Sequence, residues 1–264
     1  MLGIANGIGV PFSKSGGGGG GSFSFGTSLL LDGTNDWATQ GGSSPTTTTT
    51  SFNGFNNVDW FCSVWLKSGT GGRFNNNSCV FGVRQHTGTY AQVKLQWVDT
   101  TGGSYMRVKA STINITSTYV IPTAAQTDWH HYGASIDVNV GVDVTVKFYY
   151  DGALVDTQTG TQTTVTDTDV NLTIGAARSG AEMLSGHMIQ LVLGYGIPAD
   201  ADFTAIYGSG SGANPSDCFT GIHNIYAFSE ASGTTTGDLT DTEGRDSLGM
   251  VGFVAPYGLT TDTP

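Results

Sequence analysis

The side chains of this 264-residue chain that could carry chemistry are few, and their spacing limits what they can do. His130 and His131 are adjacent. Neighbours on a strand point to opposite faces, so the two rings cannot chelate one metal. The only glutamates are Glu182, Glu230 and Glu243, far apart along the chain. Retaining glycoside hydrolysis needs two carboxyls about 5–5.5 Å apart, and no local pair supplies them. Asp32 and Asp36 flank one turn, Asp137 and Asp143 another, and Asp167 and Asp169 stand two apart. Ca2+ wants several oxygens from carboxylates and loop carbonyls, so Asp32 and Asp36 are the metal candidates, although solvated turn aspartates are the commoner arrangement. No other cofactor is expected. Cys62, Cys79 and Cys218 are odd in number and lack a C-x-x-C spacing, which argues against a disulfide framework or a zinc site; Cys62 reads as a buried free thiol. Trp37, Trp60, Trp65, Trp97 and Trp129 could stack on sugars, but most fall at core-strand positions. The Asn76, Asn114 and Asn171 sequons read as coincidence in a chain rich in Asn and Thr. Neither a nucleophile elbow nor a phosphate loop is present.

The elements that must position these residues read as strands. Charged residues make up 12% of the chain, against about 25% in ordinary domains, and a helical surface cannot be built from three Glu and ten Lys plus Arg. The alternation at Trp60, Cys62, Val64 and Leu66 predicts a strand with one buried face. Further strands are expected at 28–32, 36–38, 79–83, 90–98, 106–110, 129–138, 142–150, 153–157, 170–174, 186–195 and 222–228. Asp151-Gly152 predicts a two-residue hairpin. One short helix is expected within 197–207, with Pro198 in its first turn. Many short strands separated by Gly, Thr and Asn turns make an all-β, two-sheet antiparallel jelly-roll sandwich. The six glycines Gly16–Gly21 form a tether, beyond which Leu2, Ile4, Ile8, Val10 and Phe12 read as an assembly arm. The expected division is an anchoring arm at 1–22, a jelly roll at 23–210 and an extension at 211–264 packing on the sandwich or on a neighbouring subunit.

The pattern resembles the concanavalin A-like, laminin-G-like jelly-roll domains. Leu30-Leu31-Asp32-Gly33-Thr34-Asn35-Asp36-Trp37 is similar to their opening strand and turn, and Phe61–Lys67 to their W-x-K strand. Trp129-His130-His131-Tyr132 resembles the W-H-H strand, Val146–Val155 the Y-x-D-G hairpin, and Leu172–Gly175 with Leu184–Met188 the closing pair. The resemblance spans residues 30–207. It implies a structural histidine pair, one ring inward and one outward. It also implies that a glycan hydrolase on this scaffold would carry E-x-D-x-x-E, which is absent, and that Ca2+ would bind at the sandwich rim.

The net charge is −11 and the ten cations are scattered along the chain, which argues against nucleic acid as a partner. No apolar run approaches the ~18 residues of a membrane span, and the first residues do not read as a secretory signal. The expected function is a structural protein of a phage virion, of decoration or head-fibre type. It would be made in the host cytoplasm, mounted on the virion surface by residues 1–22, and partnered by capsid proteins and by copies of itself. The alternative is a carbohydrate-binding adhesion module that takes surface glycans. Neither reading makes it an enzyme.

Overall fold

The computed structural model describes residues 25, 27–39, 57–69, 71–85, 91–100, 102–110, 113–139, 142–161, 170–177, 182–228, 238–239, 248–251 and 258–264. The arm residues Leu2, Ile4, Ile8, Val10 and Phe12 lie outside them, as do Asp167, Asp169, Glu230 and Glu243.

Among the described residues there are sixteen strands: β1 (Ser28–Asp32), β2 (Trp37–Thr39), β3 (Trp60–Ser68), β4 (Cys79–Gln85), β5 (Ala91–Thr100), β6 (Gly103–Ala110), β7 (Ile113–Thr116), β8 (His130–Asn139), β9 (Asp143–Tyr150), β10 (Ala153–Gly160), β11 (Val170–Ile174), β12 (Ser185–Tyr195), β13 (Ile222–Tyr226), β14 (Asp238–Leu239), β15 (Leu248–Val251) and β16 (Gly258–Thr260). They build two antiparallel sheets. Sheet A runs β10-β9-β8-β3-β12-β1-β16, with β13 also on β12; sheet B runs β14-β15-β2-β11-β4-β5-β6-β7. Two short helices, α1 (Asp200–Tyr207) and α2 (Pro215–Cys218), follow β12. Residues 211–264 thus add strands to both sheets.

The core lies between the sheets. Trp60, Cys62, Val64 and Leu66 of β3 face Phe81 and Val83 of β4, Leu95 and Trp97 of β5, and Met106 and Val108 of β6, all within one buried cluster. Trp97 stacks on Phe74 at 4.5 Å and meets Tyr132 edge-on at 4.9 Å. Gln126, in the 3-10 turn Thr123–Thr127, is buried but has its polar atoms paired: Oε1 accepts from Phe74 N at 2.8 Å and Ser104 Oγ at 3.2 Å, and Nε2 donates to Ile121 O at 3.0 Å. A paired plug of this kind removes the penalty of burying an amide.

β3 is buried on both faces, not on one as its alternation predicts. The second face, carrying Phe61 and Trp65, is covered by the segment after β12. Phe203 of α1 stacks on Tyr149 at 3.7 Å, Phe219 packs on Phe61 at 4.8 Å, and Tyr207 stacks on Trp65 at 5.6 Å. Gly133 makes room for this layer, because a Cβ there would stand 2.6 Å from the Phe203 ring. The Asp151-Gly152 turn joins β9 to β10 as expected, with φ of 48° and 74°.

Candidate functional site

On sheet B, inward Val93, Leu95 and Trp97 fix the opposite set of β5, Lys94, Gln96 and Val98, on the outer face. Met106, Val108 and Ala110 do the same for β6, turning out Tyr105, Arg107 and Lys109. The register sets Lys94 opposite Lys109, Gln96 opposite Arg107, and Val98 opposite Tyr105. β7 adds Asn114 beside Lys109 and Thr116 beside Arg107. The outer face of β5–β7 therefore carries an aromatic ring, amides, a hydroxyl and three cations.

Two residues with left-handed backbone border this face: Asn77 at φ 64° and Glu182 at φ 56°. Neither is a glycine, and such conformations persist only where the surroundings enforce them. Here the enforcement is backbone pairing, Asn77 N donating to Trp97 O at 2.8 Å and Cys79 N to Glu182 O at 2.7 Å. Asn77 Oδ1 accepts from Gln96 Nε2 at 3.1 Å and from Arg107 Nη1 at 3.4 Å, while Arg107 Nε donates to Thr116 Oγ1 at 2.9 Å. Glu182 pairs with Lys94, which is only 5% exposed. Gln96 is fully buried, yet its Oε1 has no hydrogen-bond partner among the described residues.

Burial lowers the Arg107 pKa despite the Glu182 carboxylate nearby. For Lys109, burial is again the first cause, and the charges of Lys94 and Arg107 add to it. Like charges facing each other across a strand pair are destabilising, so this face holds cations at a cost. The cations are scattered in sequence as expected, but folding gathers Lys94, Arg107 and Lys109 on one surface, which corrects the picture of isolated charges. The signal was the alternation Tyr105-x-Arg107-x-Lys109 on one strand and Lys94-x-Gln96 on the next.

The sequence-derived candidates lie elsewhere. Asp32 Oδ1 accepts from Thr34 N at 2.6 Å and Asn35 N at 3.0 Å, and Asp36 Oδ2 accepts from Asp32 N at 3.1 Å. Together they close the β1–β2 turn. Burial, with the Asp32 charge adding to it, raises the Asp36 pKa to about 6 although the Asp32 amide opposes the shift. No group of three or more His, Cys, Asp or Glu side chains converges to hold a metal among the described residues. The pair falls short of the oxygen count Ca2+ takes, and the structure gives it a turn-closing role.

The histidines divide as the resemblance implies. His131 is buried, 2.8 Å from Ser63 Oγ, and burial lowers its pKa to about 3. His130 is only partly buried, stacked on Tyr150 at 4.9 Å and 2.7 Å from Asp151 Oδ2. Cys62 is a buried free thiol, its pKa pushed up to about 12 by burial. Trp60, Trp65 and Trp97 are buried.

A serine, a histidine and an aspartate do meet on sheet A. Ser28 Oγ is 3.3 Å from His187 Nδ1, and His187 Nε2 is 3.5 Å from Asp262 Oδ2. Ser28 is fully buried and also bonds Thr260, so no acyl group reaches its hydroxyl. Asp262 accepts from Lys67 at 2.7 Å and from Trp129 Nε1 at 3.1 Å. The cluster fastens the end of the chain to sheet A.

Residues 39–193, more than half of the chain, match the laminin-G-type family described as the concanavalin A-like lectin/glucanases superfamily. The chain belongs to that superfamily. No curated protein matches it in sequence. Among solved structures it is similar to a candidate carbohydrate-binding protein from Bacteroides ovatus, with 13% identity and a TM-score of 0.59; the match covers 92% of this chain and 62% of the other, so this chain spans about three fifths of that protein. It is also similar to the CBM40 of the Ruminococcus gnavus IT-sialidase bound to α2,3-sialyllactose, with 12% identity, a TM-score of 0.45 and coverage of 69% and 98%. A third is domain 4 of AbnA, a GH43 extracellular arabinanase from Geobacillus stearothermophilus, in complex with arabinotriose, with 16% identity, a TM-score of 0.41 and coverage of 58% and 68%. At these identities the likeness is one of fold. No described helix is long and apolar enough to cross a membrane.

Proposed function

We propose that this superfamily member is a non-catalytic carbohydrate-binding domain and that the outer face of β5–β7 is its binding surface. One observation carries the reading. The half-buried Tyr105 shares a strand face with Arg107 and Lys109, beside Gln96, whose buried Oε1 is unpartnered among the described residues. An aromatic ring gives a pyranose an apolar surface, and amide, hydroxyl and guanidinium groups give its hydroxyls directional partners. Glu182, the one glutamate described, is tied to Lys94, and the Ser28 cluster is sealed. Both support a binding role over turnover.

The reading is favoured over the virion role, whose anchoring arm at residues 1–22 lies outside the described residues and for which the similar structures give no support. The test is a glycan array followed by titration calorimetry on the hits, with Tyr105→Ala beside the wild type. Saccharide binding lost in Tyr105→Ala is the expected result. Binding unaffected by that substitution would move the site off this face.

A further inference from the structure

Resting on the carbohydrate-binding reading, we propose that this face selects acidic saccharides, lodging the carboxylate or sulfate of one sugar against the half-buried Arg107 and Lys109, with the buried Lys94 charge behind them, while a ring of the same ligand lies on Tyr105. A neutral-sugar surface needs amides, hydroxyls and an aromatic ring, and this face has them without its cations. Yet three of the chain's ten Lys and Arg residues stand here, in a molecule of net charge −11. Against them the described residues set one carboxylate, Glu182, which is paired with Lys94. Three positive charges less one negative leaves a local excess of two.

The placement is costly without a ligand. Lys94 and Lys109 face each other directly across β5 and β6, an arrangement disfavoured for like charges. Lys109 has no ion pair among the described residues. Among the described residues Arg107 is held by Thr116 and Asn77 through Nε and Nη1, which leaves Nη2 of its planar fork for an anion. An anion bound here relieves the repulsion and finds a pre-oriented guanidinium. Nucleic acid is the less suitable anion: the excess is two charges on three short strands, whereas a phosphate backbone calls for an extended basic track.

The test is calorimetric titration of the full chain with a uronate trisaccharide and a sulfated oligosaccharide. Each is paired with its neutral counterpart, carboxyl-reduced or desulfated, and a single-stranded oligothymidylate and inorganic sulfate serve as further ligands. Arg107→Gln and Lys109→Gln are compared with Lys147→Gln, a charge-matched control whose ion pair with Asp200 lies on sheet A. The expected result is at least tenfold tighter binding of one acidic saccharide than of its neutral counterpart. That preference weakens with salt, falls about ten- to hundredfold in Arg107→Gln, as for a lost charge-assisted hydrogen bond, and persists in Lys147→Gln. Circular dichroism confirms that the variants fold. Equal binding of the acidic and neutral partners, indifferent to Arg107→Gln, overturns the selectivity and leaves the carbohydrate reading standing. Binding of no saccharide at all overturns both. Oligothymidylate or sulfate bound as tightly as the saccharide overturns selection of sugars in favour of a nucleic-acid or simple-anion site.

Discussion

The two outer faces of this sandwich are built from the same alternating pattern and put to opposite uses. On sheet A, the outward Phe61, Trp65 and Tyr149 are covered by Phe219, Tyr207 and Phe203 from the segment after β12, and Asp262 fastens the end of the chain nearby. On sheet B, the outward residues of β5–β7 are Lys94, Gln96, Tyr105, Arg107 and Lys109, and the described cover is limited to the loop residues Asn77 and Glu182. The first face spends its side chains on stability. The second keeps like charges together, a cost that a stable fold retains where a surface has another task. The lesson is that an apolar layer laid over its outer side marks the structural sheet, and like charges gathered on its outer side mark the working one.

That contrast can be broken by substitution. Removing the layer over sheet A should have the largest effect. Phe203→Ala is expected to cost about 3–5 kcal/mol in denaturant unfolding while leaving ligand affinity in the folded protein within about twofold. A loss below about 1 kcal/mol would mean that the α1 layer is an accessory rather than a second core.

The same face should also make the protein sensitive to acid. His131 is held neutral with a pKa near 3, against 6.5 for the free side chain. The unfolded chain therefore binds a proton that the folded one refuses. The sign follows: stability is lost as pH falls from about 6.5 towards 3, at up to about 1.4 kcal/mol per pH unit. In His131→Asn the slope of unfolding free energy against pH over that window should be shallower. An unchanged slope would place the acid sensitivity in other groups.

Sheet B should answer in the opposite direction. Lys109→Gln relieves the cross-strand repulsion and is expected to raise stability by about 0.2–1 kcal/mol while weakening acidic ligands. A variant that loses stability and keeps affinity would make Lys109 a structural residue. The smallest effect on stability is expected for Tyr105→Ala, a change of no more than about 1 kcal/mol with binding abolished; thermal unfolding and calorimetry on one sample decide it.

Much of the fold is readable in the chain. Period-two segments locate twelve strands and Asp151-Gly152 locates the hairpin; the helix is found too, but it starts at Asp200 with Ala199 as its N-cap, so Pro198 stands before the helix and not in its first turn as expected. β7, β14, β15, β16 and α2 are not signalled. Ile113–Thr116 is four residues long and β14 only two, so neither carries enough periods for alternation to show; they pair because neighbouring strands offer open edges. Two-sided burial of β3 is hidden for another reason. Phe61 and Trp65 look like tolerated exceptions until Phe219 and Tyr207, more than 140 residues later, are brought over them. The site was the least legible part. The histidines and aspartates attract attention by type, yet His131, Asp36 and Asp262 are absorbed by packing, turn closure and attachment of the chain end. Lys94, Arg107 and Lys109 look ordinary in sequence. They become a site only when the β5–β6 register brings them together and Asn77 and Glu182 arrive from distant loops.

The claim that sheet B carries the binding face is most directly tested by mapping backbone amide shifts while titrating the labelled protein with the tightest-binding saccharide from the array. The account predicts saturable changes concentrated at residues 94–98, 105–109 and 114–116, with Asn77 and Glu182 following the same binding curve and 199–207 unmoved. Changes centred on 199–207 or on the Asp262 cluster, with β5–β7 silent, would contradict it.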